Sequence, residues 1–167
     1  MKKIIKKKLE EIFLLECSDQ TRYLAYAEKA KEEGHANIAR LFHTIAYSER
    51  IQAKRFLKFL GELGNSRENL LLCLENEKYQ SEEFYPALFE LAGMMNEADS
   101  LSTFYSNIQT ETVHVKLFEK ALESLHRGED IYIDKIYICS NCGFTMEGTA
   151  NSVCSGCGLS STNFKEF

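Results

Sequence analysis

Two Cys-x2-Cys pairs, Cys139 with Cys142 and Cys154 with Cys157, lie within the last 29 residues of the chain. Each pair offers two sulfurs from one tight knuckle, and two knuckles brought together make a tetrahedral four-thiolate metal site. Gly143 and Gly158 follow the second cysteine of each knuckle, where a small residue lets backbone N–H groups approach the sulfurs. The spacing admits iron and zinc alike, since both accept four tetrahedral sulfurs. Residues 131–138 (IYIDKIYI) are β-branched and aromatic, as the strands of a small four-cysteine domain require. The knuckles call for a reducing compartment, which places the chain in the cytoplasm.

Upstream of that tail the pattern is helical. Gly34, Gly61 with Gly64, Gly93 and Gly128 divide residues 1–128 into four segments of helical length. Each segment repeats apolar residues at 3.6-residue spacing, and strand-type alternation is absent before about residue 131. Ser66 is the expected N-cap of the third helix, and Pro86, the single proline, is expected to interrupt and kink it. The fold class is therefore mainly α, with a four-helix bundle over 1–130 and a metal ribbon over 131–167. The 44% apolar content supports a real core, and the formal charge of −5 argues against nucleic acid as the main partner. No stretch approaches the roughly 20 apolar residues of a membrane span. The lysines at 2, 3, 6, 7 and 8 precede no apolar segment and read as a solvated helix start rather than a signal peptide.

The informative anomaly lies inside the helices. Glu16 shares a stripe with Leu9, Ile12, Phe13 and Tyr23, and Glu49 sits among Phe42, Ile45, Ala46, Ala53 and Phe56. Glu77 follows Leu70, Cys73 and Leu74, and Glu111 lies between Phe104, Ile108 and Val115, Phe118. Each helix thus carries one glutamate at a central position of its apolar face. A buried carboxylate costs several kcal/mol unless neutralised, paired or bound to metal. Any one of these could be a solvated glutamate. Four together, with His114 three residues after Glu111, point to the inward ligands of a bundle holding two metal ions. His35, His43 and His126 lack this context and read as surface or turn residues. The halves also repeat: Glu16, Tyr23, Glu49 and Gln52 return as Glu77, Tyr85, Glu111 and His114, offset by 61 or 62 residues.

At these positions the sequence resembles the rubrerythrins. The matching stretches are Glu16, ThrArgTyr at 21–23, residues 27–34, residues 49–54, GluAsnLeu at 68–70, PheTyrPro at 84–86, GluThrValHis at 111–114 and both knuckles. The resemblance implies a ferritin-like bundle followed by a rubredoxin-like iron domain. It also implies reduction of hydrogen peroxide to water at the bundle site, with electrons entering through the four-cysteine iron from a rubredoxin or an NAD(P)H-dependent reductase. By the same resemblance Glu16 and Glu77 are terminal ligands, Glu49 and Glu111 bridge, His114 ligates the iron on the Glu77 side, and Tyr23 and Tyr85 orient carboxylates.

Two positions depart from the family pattern. Gln52 stands where the family has a second histidine, and Gln80 where it has a further glutamate; in the family both serve the iron on the Glu16 side. A neutral amide is a weaker ligand for iron than imidazole or carboxylate. The alternative to an enzyme is therefore an iron-binding or electron-transfer protein with a degenerate di-metal site. A third reading is a structural protein with a zinc ribbon. Finally, in a ferritin-like bundle the chain must travel the bundle's length between helices two and three, and the break near Gly61–Ser66 is too short for that. Either the bundle runs plainly up-down-up-down, which misplaces the repeated ligand sets, or a homodimer swaps residues 1–61; the swap is the expected solution.

Overall fold

The computed structural model describes residues 2–167. They form two compact units, one ending at Gly64 and one spanning Asn65–Phe167. The first is a helical hairpin of α1 (Lys3–Glu32) and α2 (Ala36–Leu60). Its buried contacts are alanines: Ala27 and Ala30 from α1, and Ala39, Ala46 and Ala53 from α2. The seven-residue spacing in α2 keeps its alanines on one seam, and their small side chains let the helices approach closely. Two helices cannot cover all their apolar side chains. Leu14 is 65%, Leu15 62% and Ile51 52% exposed. Helix α2 ends at Gly61, whose φ of 76° is the left-handed conformation that stops a helix and turns its N–H back to the Leu57 and Lys58 carbonyls.

The second unit begins with α3 (Ser66–Tyr79) and continues through a π-helical turn (Gln80–Phe84) into α4 (Tyr85–Met95). These three form one interrupted rod. The N-cap of α3 is Asn65, not Ser66: the Asn65 side chain accepts from the Glu68 N–H at 3.0 Å, and Glu68 Oε2 accepts from the Asn65 N–H at 2.8 Å. That reciprocal pair satisfies two orphan donors at once, which the Ser66–Asn69 spacing does not offer. The interruption expected from Pro86 appears as the π turn immediately before it, with Pro86 in the first turn of α4. Gly93 does not break the helix; α4 runs past it to Met95 and stops at Asn96, which takes a φ of 59°.

Helix α5 (Ala98–His126) packs along the α3–α4 rod and then leads to the ribbon. The strands are shorter than the 131–138 run: β1 (Ile136–Cys139) pairs antiparallel with both β2 (Thr145–Glu147) and β3 (Phe164–Glu166), giving the order β2-β1-β3. The ribbon sits on α5. Val113 packs against the buried cluster of Cys139, Phe144 and Cys154, and Lys120 pairs with Glu147. Contact is close at Gly156, where a Cβ would lie 2.8 Å from Ser106 Oγ and 3.2 Å from Cys142 Sγ, so only glycine fits there. No helix among the described residues is long and apolar enough to cross a membrane.

The two candidate caps of α3 give opposite expectations. Asn65→Ala should lower the stability of the second unit by about 1 kcal/mol, the usual cost of losing an N-cap. Ser66→Ala should leave the unfolding midpoint nearly unchanged. Denaturant melts followed by circular dichroism check both.

Candidate metal centres

The four cysteines converge as their spacing requires. Cys139 Sγ lies 3.7 Å from Cys157 Sγ, and Cys142 Sγ lies 3.6 Å from Cys154 Sγ. A tetrahedron with metal–sulfur arms of ~2.3 Å has edges near 3.8 Å, whereas a disulfide needs ~2.05 Å, so these separations fit a cation and not a covalent bridge. Cys139 and Cys154 are buried. Burial pushes the Cys142 thiol up to about 12 and also raises Cys154. At Cys157 the Leu159 backbone N–H acts the other way and brings the thiol down to about 7. Buried thiolates need a positive charge among them, and the donor set is that of iron or zinc.

The second unit also gathers Glu77 from α3 with Glu111 and His114 from α5, their ligand atoms all within 4.8 Å of one another. Glu111 and His114 sit three residues apart on one helix face, which brings His114 Nδ1 to 2.8 Å from Glu111 Oε2. The same nitrogen is 3.7 Å from Glu77 Oε2. Burial, then the adjacent Glu111 carboxyl, pushes Glu77 up to about 7. The His114 hydrogen bond holds Glu111 low, and that same bond raises His114. Glu77 Oε2 is buried and has no hydrogen-bond partner. An orphaned carboxylate oxygen beside a second carboxylate and an imidazole nitrogen is a donor set that fits iron. Tyr85 lies in the same neighbourhood. Burial raises its hydroxyl, the Glu111 charge adds to that, and Asn107 stands beside it.

The first unit holds the other sequence-identified residues. Glu16 from α1 and Glu49 from α2 face each other, and the hydrogen bond they share raises Glu16, with burial adding to it. Two facing carboxyls need a shared proton or a bridging cation. Gln52 Nε2 donates to Glu49 Oε2 at 3.0 Å, so the amide supports that carboxylate through its N–H. Tyr23 stacks on Phe42 with ring centroids 6.3 Å apart. Gln80 is half-buried and opens the π turn. Its neighbour Ser81 donates to the Glu77 carbonyl at 2.8 Å. His35, His43 and His126 are exposed.

Sequence reasoning passed over two polar residues. Ser106, buried on α5, abuts Gly156 and Cys142, and Thr145, buried at the start of β2, touches His114 Nε2. A hydroxyl stripe of Ser106 and Thr110 on α5 was the available signal for the first. Nothing in the sequence marks the second.

The rubrerythrin family pattern matches residues 7–122. Rubrerythrin-2 of Clostridium acetobutylicum is 34% identical over 160 residues, covering 87% of each chain. The rubrerythrin of Nitratidesulfovibrio vulgaris is 26% identical over 92% of this chain and 88% of its own. Fully reduced nigerythrin shares the fold with a TM-score of 0.54 at 23% identity, over 97% of this chain and 86% of that one. Those likenesses cover the helices and the four-cysteine ribbon together, so the fold is a ferritin-like bundle followed by a rubredoxin-like domain. The chain belongs to the rubrerythrin family.

Proposed function

We propose that this chain reduces hydrogen peroxide to water at a two-iron carboxylate site, drawing electrons through the iron of its four cysteines. The family are non-haem iron oxidoreductases. The observation that carries the reading for this chain is the orphaned Glu77 Oε2 beside Glu111 and His114, in the same unit as the four sulfurs. Glu77, Glu111 and His114 would hold one iron, Glu49 would bridge, and Glu16 would face the second position. When bound, the irons supply the two electrons that cleave the O–O bond. The carboxylates offset the positive charge of the oxidised metals. Tyr85 orients the carboxylates. We place the chain in the cytoplasm, with a rubredoxin or an NAD(P)H-dependent reductase as its electron donor and a domain boundary near residue 130.

A second reading has its own observation. Gln52 is exposed and turns its N–H₂ toward Glu49, which makes it a hydrogen-bond donor rather than a ligand. The Glu16-side position then lacks a nitrogen ligand, and the protein binds iron and passes electrons with slow peroxide turnover.

The site is proposed to form in a homodimer. The connection between α2 and α3 is Gly61–Asn65, which spans at most about 18 Å. The 25-residue α2 is ~38 Å long. A chain that must return along the bundle cannot do so in five residues. A swap, in which α1–α2 of one protomer packs on the second unit of its partner, removes the need. It also gives Leu14, Leu15 and Ile51 a partner to cover them.

Three outcomes test these readings. Protein from iron-rich medium should be red from thiolate-to-iron charge transfer; colourless protein carrying stoichiometric zinc refutes iron at the four cysteines. His114→Ala should lower bundle metal content more than tenfold while Gln52→Ala changes it little, and Gln52→His with Gln80→Glu should raise metal content and peroxide turnover together. Equal losses from the two alanine variants overturn the ligand assignment. For the dimer, Glu49→Ala and Glu111→Ala proteins unfolded and refolded together should regain about half the sites in heterodimers, because one site collects both lesions and the other none. A monomer on sedimentation with no recovery rules the swap out.

A further inference from the structure

His114 is held at both ring nitrogens. Nδ1 faces Glu111 and Glu77, while Nε2 lies 3.0 Å from Thr145 Oγ1. The direction of that second bond follows from the first. With its lone pair turned to a metal, Nδ1 carries no proton, so the neutral ring bears it on Nε2. When the ring is protonated beside the two carboxylates, both nitrogens bear protons. In either state Nε2 donates and Thr145 Oγ1 accepts. The Thr145 hydroxyl then spends its own proton on the Gly143 carbonyl, 3.2 Å away. Gly143 directly follows Cys142. A continuous path of two hydrogen bonds, all donors satisfied, therefore runs from the imidazole to the first cysteine knuckle.

Three features make this contact specific rather than incidental. Thr145 is 4% exposed, so its hydroxyl cannot trade His114 for water cheaply. Its backbone is fixed in β2, paired with Ile138 across the sheet, and the branched side chain has few rotamers there. The ribbon that carries it is anchored on α5 by Val113 and by the Lys120–Glu147 pair, on either side of His114 along the helix. The hydroxyl is thus delivered to the ring by a rigid support, not by a loop.

We propose that Thr145 is the positioning residue for His114: it fixes the ring with Nδ1 toward Glu77 and Glu111 and ties that orientation to the backbone of the Cys142 knuckle. The proposal rests on the reading of His114 as a ligand. Outer partners that orient a ligating histidine are commonly worth about 10- to 100-fold in metal affinity.

The test compares the full chain with Thr145→Val, which keeps shape and strand preference but removes the hydroxyl, and with Thr145→Ser, which restores it. Zinc in the four-cysteine site keeps the ribbon folded and the sample diamagnetic, and an unchanged melting temperature establishes that each variant is intact. Two signals are read. In the protein with a metal-free bundle, the His114 Nε2–H resonance should be protected from solvent exchange in the parent, lost in Thr145→Val and recovered in Thr145→Ser. In a Co²⁺ titration of the bundle, Thr145→Val should bind about 10- to 100-fold more weakly, with Thr145→Ser returning most of the affinity. A protected Nε2–H and parental Co²⁺ affinity in Thr145→Val overturn the proposal, as does a serine variant that behaves like valine. A parent that binds no Co²⁺ in the bundle yet shows the expected resonance pattern refutes the ligand reading and leaves the orienting role of Thr145 supported.

Discussion

A carboxylate taken out of water with nothing to answer its charge is the constraint around which the second unit is arranged. Glu77 is pushed to about 7 by burial, and one of its oxygens has no hydrogen-bond partner. Helix packing alone would select a leucine there, since an apolar side chain gains from the burial that Glu77 loses by. The neighbours are the compensation. The hydrogen bond to His114 lowers the Glu111 carboxyl, and that same bond, with the Glu111 and Glu77 charges, raises the His114 ring. A cation would relieve all three at once, and the same holds for the thiols of Cys142 and Cys154. Both clusters are thus built to be completed from outside the polypeptide.

Much of this was legible in the residue order. A glutamate recurring on each apolar helix face, and knuckles at fixed spacing, are local signals carried by chemistry that a helix face or a ribbon cannot otherwise tolerate. What stayed hidden depended on the third dimension or on competition between equal local options. Asn65 and Ser66 are both good caps, and only the position of Glu68 decides between them. Gly93 looked like a break because glycine is a poor helix former, but one glycine costs only ~1 kcal/mol and the packed rod absorbs it. The run 131–138 holds two β-branched and aromatic triplets around Asp134 and Lys135, yet strand pairing begins only at Ile136. Thr145 could not be singled out, since its importance comes from a histidine 31 residues away.

The duplicated halves have diverged in how they treat their equivalent positions. His114 presents a ring nitrogen to two carboxylates, whereas Gln52 presents an amide N–H to one. The first arrangement leaves a lone pair available when the ring is neutral, and the second has none to offer at that atom. One chemical inequality of the halves is therefore set at this residue pair, while Glu16, Glu49, Glu77 and Glu111 are kept.

The π turn has a consequence for how such a duplication is to be recognised. Glu16 and Tyr23 are seven residues apart, but Glu77 and Tyr85 are eight apart, and the extra residue falls where the rod widens at Gln80–Phe84. One added residue in an unbroken α-helix would swing everything beyond it by about 100° around the axis. The wider turn takes up that rotation within five residues, so α4 continues with its face restored. An ungapped comparison of the halves therefore aligns Tyr23, Glu49 and Gln52 with their counterparts at an offset of 62 and loses Glu16, which matches Glu77 only at 61. Internal symmetry in chains of this kind will look younger and more partial than it is whenever alignment forbids a one-residue gap inside a helix.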